Sequence, residues 1–163
     1  MKKLINHIDS VLTESLDGFV AAHADIVTLG PEHQFVRRAQ IKPGNHWNQP
    51  HDASVKAFTE GLVALGLLKG SVASLIKRNA YRAFYMHRVG HWLGLDVHDV
   101  GDYRVDDEWR VLEPGMVISM EPMLMLPEGM PGAGGYREHD ILVITKDGNR
   151  NLTAFPYGPE HNI

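Results

Sequence analysis

The chain has no cysteine among its 163 residues, so it forms no disulfide and has no thiolate chemistry. It also has no excess of basic residues, because 16 Lys and Arg face 20 Asp and Glu and give a net charge of −4. This balance argues against nucleic acid as a main partner. No apolar run is long enough to span a bilayer, and the charged start has no apolar stretch of a signal peptide behind it. We therefore expect a cytoplasmic protein that acts on a small molecule.

A phosphate-binding loop is absent as well. The Gly- and Pro-rich stretch from Pro127 to Gly135 contains no Lys, Ser or Thr, so it does not have the composition of a phosphate cradle. What the chain does have is ten histidines, within an ordinary globular composition of 44% hydrophobic and 22% charged residues. This histidine content favours a metal site.

Three of the histidines, His87, His91 and His98, lie in the short apolar stretch from Tyr85 to Asp99. A buried imidazole must satisfy two ring nitrogens, so three of them in one apolar stretch need partners. A metal, or a substrate held beside one, would supply these partners. Three separately hydrogen-bonded histidines are the alternative.

Local patterns predict an α+β fold. An amphipathic helix begins near Asp9, a second is entered through Pro50 after a cap at Asn48 or Gln49, and Ser71 caps a short third. A buried strand ends at Met120 and delivers Glu121. One strand is predicted from Tyr136 to Thr145, and a hairpin turn over 146–149 leads to its return strand.

The histidine stretch resembles a known family. His87-Arg-Val-Gly-His91-Trp-Leu-Gly-Leu-Asp-Val-His98-Asp99, the run ending in Glu121-Pro122, and the segment over 135–145 are similar to the pita-bread metallopeptidases, close to the Xaa-Pro aminopeptidase and prolidase branch. The resemblance covers residues ~41–155. It implies half of a pita-bread fold, with a curved, mostly antiparallel sheet and helices on one face.

The resemblance also implies residue roles. His91 matches a metal ligand, and Glu121 matches a ligand that also serves in proton transfer. His98 matches the histidine that contacts the scissile carbonyl, and His87 matches one in the substrate pocket.

Two departures from the family change the expected site. The family's two aspartate ligands lie in an upstream region that this sequence does not contain, and its second glutamate ligand falls on His139, with Glu138 one place earlier. We therefore predict one metal held by His91, Glu121 and His139, with an open fourth position for water. Zinc suits such imidazole-rich ligation best, and manganese and cobalt are also used in the family. His98 would then stabilise an oxyanion, while Glu138 or Glu121 moves the proton.

The first forty residues have a different resemblance, to the N-terminus of dihydroxyacetone kinases, carried by Met1-Lys-Lys-Leu-Ile-Asn6 and the segment over 18–23. The resemblance implies a fusion of a kinase-like segment (1–40) with a truncated aminopeptidase P-like domain (41–163). It implies no kinase activity, because no nucleotide-binding loop is present.

The main functional expectation is a metal-dependent hydrolase of activated esters such as phosphotriesters. These esters have better leaving groups than peptides, so their hydrolysis requires only metal-bound hydroxide and stabilisation of the oxyanion. The alternatives are a weak Xaa-Pro aminopeptidase or prolidase-like peptidase, and a non-catalytic metal-binding or structural fragment. A half-fold leaves an apolar flank exposed, so we expect a homodimer to cover it.

Overall fold

The structure is a computed structural model that describes residues 38–130 and 133–154. The predicted helix near Asp9 lies outside these residues, and so do positions 1–37 of the kinase-like segment predicted over 1–40. Two helices come first, α1 (Gln49–Ala64) and α2 (Val72–Lys77), followed by a 3₁₀ turn over Ala80–Ala83. The strands that follow are β1 (Arg104–Val105), β2 (Glu108–Trp109), β3 (Val117–Met120), β4 (Met123–Leu126), β5 (Gly134–Arg137), β6 (Asp140–Ile144) and β7 (Asn149–Asn151).

The helix ends follow the sequence signals closely. Pro50 occupies the first turn of α1, where its missing N–H costs no helical hydrogen bond, and Asn48 is the N-cap residue without a side-chain capping bond. After the helix, Gly66 has a φ of 73°, in the left-handed region that a residue with a side chain rarely adopts. Ser71 caps α2 through its Oγ, which accepts the Ser74 N–H at 3.4 Å.

One antiparallel pairing runs through four of the strands but is interrupted in the middle. Met120 of β3 lies opposite Asp140 of β6, and Met123 of β4 lies opposite Arg137 of β5, so the register continues unchanged across the gap. Pro122 lies in that gap and has no N–H to donate to a ladder. The prediction of a single strand from Tyr136 to Thr145 was therefore wrong in this detail, because the strand is divided at residues 138–139.

The histidine stretch lies along β3. Trp92 forms a bridge with Ile118, the Ser119 N–H donates to the His91 carbonyl at 2.9 Å, and the Glu121 N–H donates to the Val89 carbonyl at 2.7 Å. The two backbones approach closely at Gly90, where an added Cβ would lie 2.0 Å from the Ser119 carbonyl oxygen. A glycine is needed there for steric reasons, and the contact fixes His91 against the strand that ends at Glu121.

Two apolar clusters form the core. One packs the histidine stretch and β3 against β6, and its buried members include Trp47, Trp92, Ile118, Met120 and Leu142. The other packs α1 on β4 through residues that include Phe58, Leu62, Tyr85, Leu124 and Leu126. Within the described residues, neither helix is long and apolar enough to cross a membrane.

Candidate active site

His91 and Glu121 meet at the interruption of the sheet. The His91 Nε2 atom lies 2.7 Å from Glu121 Oε1, and the two side chains are only 13% and 12% exposed. His91 comes from the histidine stretch, and Glu121 follows the last residue of β3. The two backbones are hydrogen-bonded, so the pair is held by main chain as well as by its own contact.

The hydrogen bonds of His91 fix the orientation of its ring. Its Nδ1 atom is 2.8 Å from the carbonyl oxygen of Trp92, and its Nε2 atom faces Glu121 Oε1. Both ring nitrogens thus have an oxygen within hydrogen-bond distance, and Nε2 and Oε1 are close enough for a proton to pass between them.

Two further residues hold the Glu121 carboxylate, and sequence reasoning missed both. Ser119 Oγ donates to Oε1 at 2.9 Å and accepts the His91 N–H at 3.0 Å. Arg137 Nη1 lies 2.9 Å from Oε2. The signal for Ser119 was its place two residues before Glu121, on the same face of the chain. Arg137 had no local signal, because its position depends on the pairing of β4 with β5.

His98 joins this group through its ring. The His91 and His98 ring centroids are 4.3 Å apart at an interplanar angle of 70°. The loop that carries His98 is closed by Asp99, whose carboxylate accepts the N–H groups of Leu95 at 3.1 Å and Val100 at 2.9 Å. An added Cβ at Gly94 would lie 1.7 Å from Asp99 Oδ2, so a glycine is required for this closure.

The other predicted catalytic residues are placed differently. Glu138 is buried and accepts a hydrogen bond from the Tyr136 hydroxyl. His87 has an exposed side chain, and no contact recorded among residues 38–130 and 133–154 joins it to the His91–Glu121 pair. Its role in a substrate pocket stays a prediction.

His139 has no contact with His91 or Glu121 among the described residues, and its place in the expected set of three ligands stays a prediction. Side chains alternate along β6, so Asp140, Leu142 and Ile144 point inward, and Glu138 shares their parity. His139 has the opposite parity and is exposed.

The described residues supply only part of a metal site. Imidazole and carboxylate are suitable donors for a divalent metal, but no group of three or more His, Asp or Glu that could hold one occurs in the described part of the chain. Arg137 moreover places a cation on the Glu121 carboxylate. His91 and Glu121 alone do not complete a site, so the identity of a metal stays a prediction.

Unlike His91, which lies beside a carboxylate, His51 lies near two arginines. Burial, and then the positive charges of Arg88 and Arg82, lower its pKa from 6.5 to about 4. Its Nδ1 atom lies 3.4 Å from the hydroxyl of the buried Tyr85. His51 is therefore neutral at physiological pH, as expected for a packing residue of α1.

The sequence matches known metallopeptidases over most of its length. Residues 7–146 match the profile of metallopeptidase family M24. The Xaa-Pro aminopeptidase of Escherichia coli is 49% identical over 142 residues, which cover 83% of this chain and 32% of that protein. Creatinase of Bacillus sp. (strain B-0618) is 62% identical over 79 residues, which cover 45% of this chain and 19% of that enzyme.

The fold is matched as well. The zinc-substituted aminopeptidase P of Escherichia coli superposes with a TM-score of 0.74 at 43% identity, covering 83% of this chain and 32% of that chain. This likeness confirms the predicted α+β half of a pita-bread fold with antiparallel sheets. The chain thus spans about a third of the length of the aminopeptidases that it matches.

Proposed function

The chain belongs to metallopeptidase family M24, and from this premise we propose that it takes part in the hydrolysis of Xaa-Pro peptides. The observation that carries the proposal is the 2.7 Å contact between His91 Nε2 and Glu121 Oε1, formed by segments inside the family match. The Escherichia coli relative is named for this substrate class. Because the chain spans a third of that relative, the activity of the whole protein is part of the proposal.

The His91–Glu121 pair supplies proton transfer. Peptide hydrolysis requires a proton to reach the leaving amine, and a positioned acid or base contributes about 10²–10⁴ in rate. The contact between Nε2 and Oε1 lies in a largely buried setting, and Ser119 and Arg137 keep the carboxylate in place. Glu121 is therefore the residue that we assign to move the proton.

His98 is the residue that we assign to the oxyanion. Its ring contacts His91 edge-on, and it sits on a loop that Asp99 closes through two backbone N–H groups. An imidazole N–H in such a place can donate to the negative charge that develops on a carbonyl oxygen. Glu138 accepts a hydrogen bond from the Tyr136 hydroxyl at the same interruption of the sheet, and it is the alternative carboxylate for proton transfer.

His91 and Glu121 would be the ligands contributed by these residues to a divalent metal of the kind family M24 aminopeptidases use. When bound, a metal supplies polarisation of the carbonyl and an activated water. No group of three or more possible ligands occurs among the described residues, so a metal would need donors beyond this pair, and it would bind both side chains in their deprotonated forms.

The comparisons favour the peptidase alternative over phosphotriester hydrolysis, since the aminopeptidase relatives are named for peptide substrates. They give no support to a kinase-like segment or a fusion, and the family match begins at residue 7, inside the segment assigned to it. The division at residue 40 and the homodimer stay predictions.

Creatine hydrolysis is a second candidate. The identity to creatinase, 62% over 79 residues, is higher than the 49% to the Escherichia coli aminopeptidase, although over a shorter stretch. The described residues also lack a complete set of metal ligands. A hydrolase that needs only His91, Glu121 and His98 would fit this observation.

One assay separates these functions. The purified chain and its Glu121→Gln variant are given an Xaa-Pro dipeptide, creatine and a nitrophenyl phosphotriester, each with and without a chelator. We expect peptide hydrolysis that Glu121→Gln lowers by about a hundredfold or more. Turnover of creatine alone would favour the second candidate, and turnover of the phosphotriester alone would contradict both. A peptide rate unchanged in Glu121→Gln would also overturn the proposal.

A further inference from the structure

A separate cavity of about 670 Å³ lies beside the histidine stretch, and its walls are aromatic and cationic. Its lining includes Trp47, Arg88, Asp102, Tyr103, Arg104 and Trp109. A volume of this size is typical of small-molecule sites. None of the residues that we place in the hydrolytic site lines it, so the proposed peptidase function does not account for it.

Two guanidinium groups in this cavity share one indole ring. The Cζ atoms of Arg88 and Arg104 lie 4.5 Å and 4.1 Å from the Trp109 ring centroid. Stacking of arginine on tryptophan leaves N–H groups at the edge of the guanidinium able to bind another partner, although Arg104 Nη1 also donates to the Asp107 carbonyl at 3.5 Å. The indole thus holds two cations in the cavity lining.

Neither guanidinium has an acidic partner within ion-pair distance among residues 38–130 and 133–154. Burial lowers the pKa of Arg88 and the charge of Arg104 acts in the same direction, whereas Asp52 raises it. Asp102 is the acidic residue of the lining, against two arginines. Both guanidinium groups belong to exposed residues, so an anion can reach their positive charge.

The lining also offers aromatic surface suited to a flat apolar group. The Trp47 and Tyr103 ring centroids are 4.9 Å apart, and Tyr103 is stacked on Trp92 at an interplanar angle of 14°. The indole Nε1–H of Trp92 is buried without a hydrogen-bond partner, and it lies 2.9 Å from where a Cβ of Gly101, also in the lining, would be. A ligand in this cavity would therefore meet both aromatic surface and guanidinium donors.

We propose that this cavity binds an aromatic carboxylate, with the carboxylate on Arg88 and Arg104 and the ring against Trp47 and Tyr103. Planar carboxylates pair with guanidinium groups through parallel hydrogen bonds, which a spherical or fully apolar ligand does not offer. A free aromatic acid and a peptide ending in an aromatic residue share this chemistry. The site does not depend on hydrolysis, so it can be tested by binding alone.

Calorimetry of the full chain tests the proposal with three probes, N-acetyl-phenylalanine, its uncharged amide and inorganic phosphate. We expect the acid to bind about tenfold or more tightly than the amide, and phosphate to compete weakly. A short peptide ending in phenylalanine, compared with the free acid, tells the two sources apart. Equal binding of acid and amide would overturn the proposal, and so would phosphate binding as tight as that of the acid.

Two variants of the cavity are expected to change the affinity for the acid in opposite directions. Arg104→Gln is expected to weaken the acid by about tenfold, whereas Asp102→Asn removes the opposing charge and is expected to tighten it. Arg150→Ala, at an exposed position on β7, is the matched control and should leave binding unchanged. Circular dichroism confirms that each variant is folded. Equal affinity of wild type and both cavity variants would contradict the assignment.

Discussion

Two neighbouring regions of this molecule differ in whether their charged side chains form ion pairs. At the hydrolytic site, His91 is paired with Glu121, and Arg137 lies on the second oxygen of the same carboxylate. At the aromatic cavity, Arg88 and Arg104 share an indole ring, and neither has an acidic partner within ion-pair distance among the described residues. The first region brings an imidazole and a carboxylate together for proton transfer, and the second offers positive charge to a ligand. Charge alone therefore does not define the function of a site. What a charged side chain can bind or transfer depends on whether it already has an ion-pair partner.

The largest effect is expected from a change that disturbs both regions together. Gly90 lies in the lining of the cavity and next to His91, and an added Cβ would lie 2.0 Å from the Ser119 carbonyl oxygen. Gly90→Ala should therefore push the histidine stretch from β3 and cost about 3 kcal/mol of stability. Urea unfolding measures this loss. Gly148→Ala, where nothing lies within 4 Å of the added Cβ, is the control. Equal stability of the two variants would show that the close approach is not maintained.

A smaller effect should be confined to the hydrolytic site. Ser119 is buried, donates to Glu121 and accepts the His91 N–H. Ser119→Ala removes both hydrogen bonds and should cost about 1–3 kcal/mol of stability while lowering kcat for the peptide. Binding of N-acetyl-phenylalanine in the cavity should be unchanged. Loss of carboxylate binding in this variant would mean that the two regions are not independent.

The smallest effect is a pH dependence of stability that arises from His51 of α1, whose pKa is lowered in part by the charge of Arg88 in the cavity lining. His51 has a folded pKa of about 4, below its ordinary 6.5, so between these values the unfolded chain binds more protons than the folded chain. Stability should fall as the pH is lowered from 6.5 towards 4, by about 1 kcal/mol after allowing for solvent screening. His51→Gln should remove this part of the pH dependence. Unfolding curves of both proteins across the window that keep the same difference at every pH would contradict the assignment.

Local patterns predicted the elements well. Pro50 and Ser71 marked the helix starts, and the apolar run ending at Met120 marked the strand that delivers Glu121. The pairing of His91 with Glu121 was implied by the resemblance at the histidine stretch. These features depend on residues close together in sequence or on motifs that are recognisable by themselves.

What sequence reasoning missed depends on strand register and distant contacts. The break opposite Pro122 decides that Glu138 is buried and His139 exposed, and a shift of one residue would have exchanged them. Arg137 reaches Glu121 only because β4 pairs with β5. The stacking of Arg88 on Trp109 joins residues far apart along the chain, and no periodicity encodes it.

The most direct test of the account compares His91→Ala with His139→Ala in one peptide hydrolysis assay. His91 touches Glu121, whereas His139 is exposed and outside the group, so the two histidines serve as matched partners. We expect His91→Ala to lower kcat for an Xaa-Pro dipeptide by about a hundredfold or more, and His139→Ala to leave it within about twofold of the wild type. An equal loss in both variants would restore His139 to the site. Full activity of His91→Ala would contradict the claim that the His91–Glu121 pair is the hydrolytic centre.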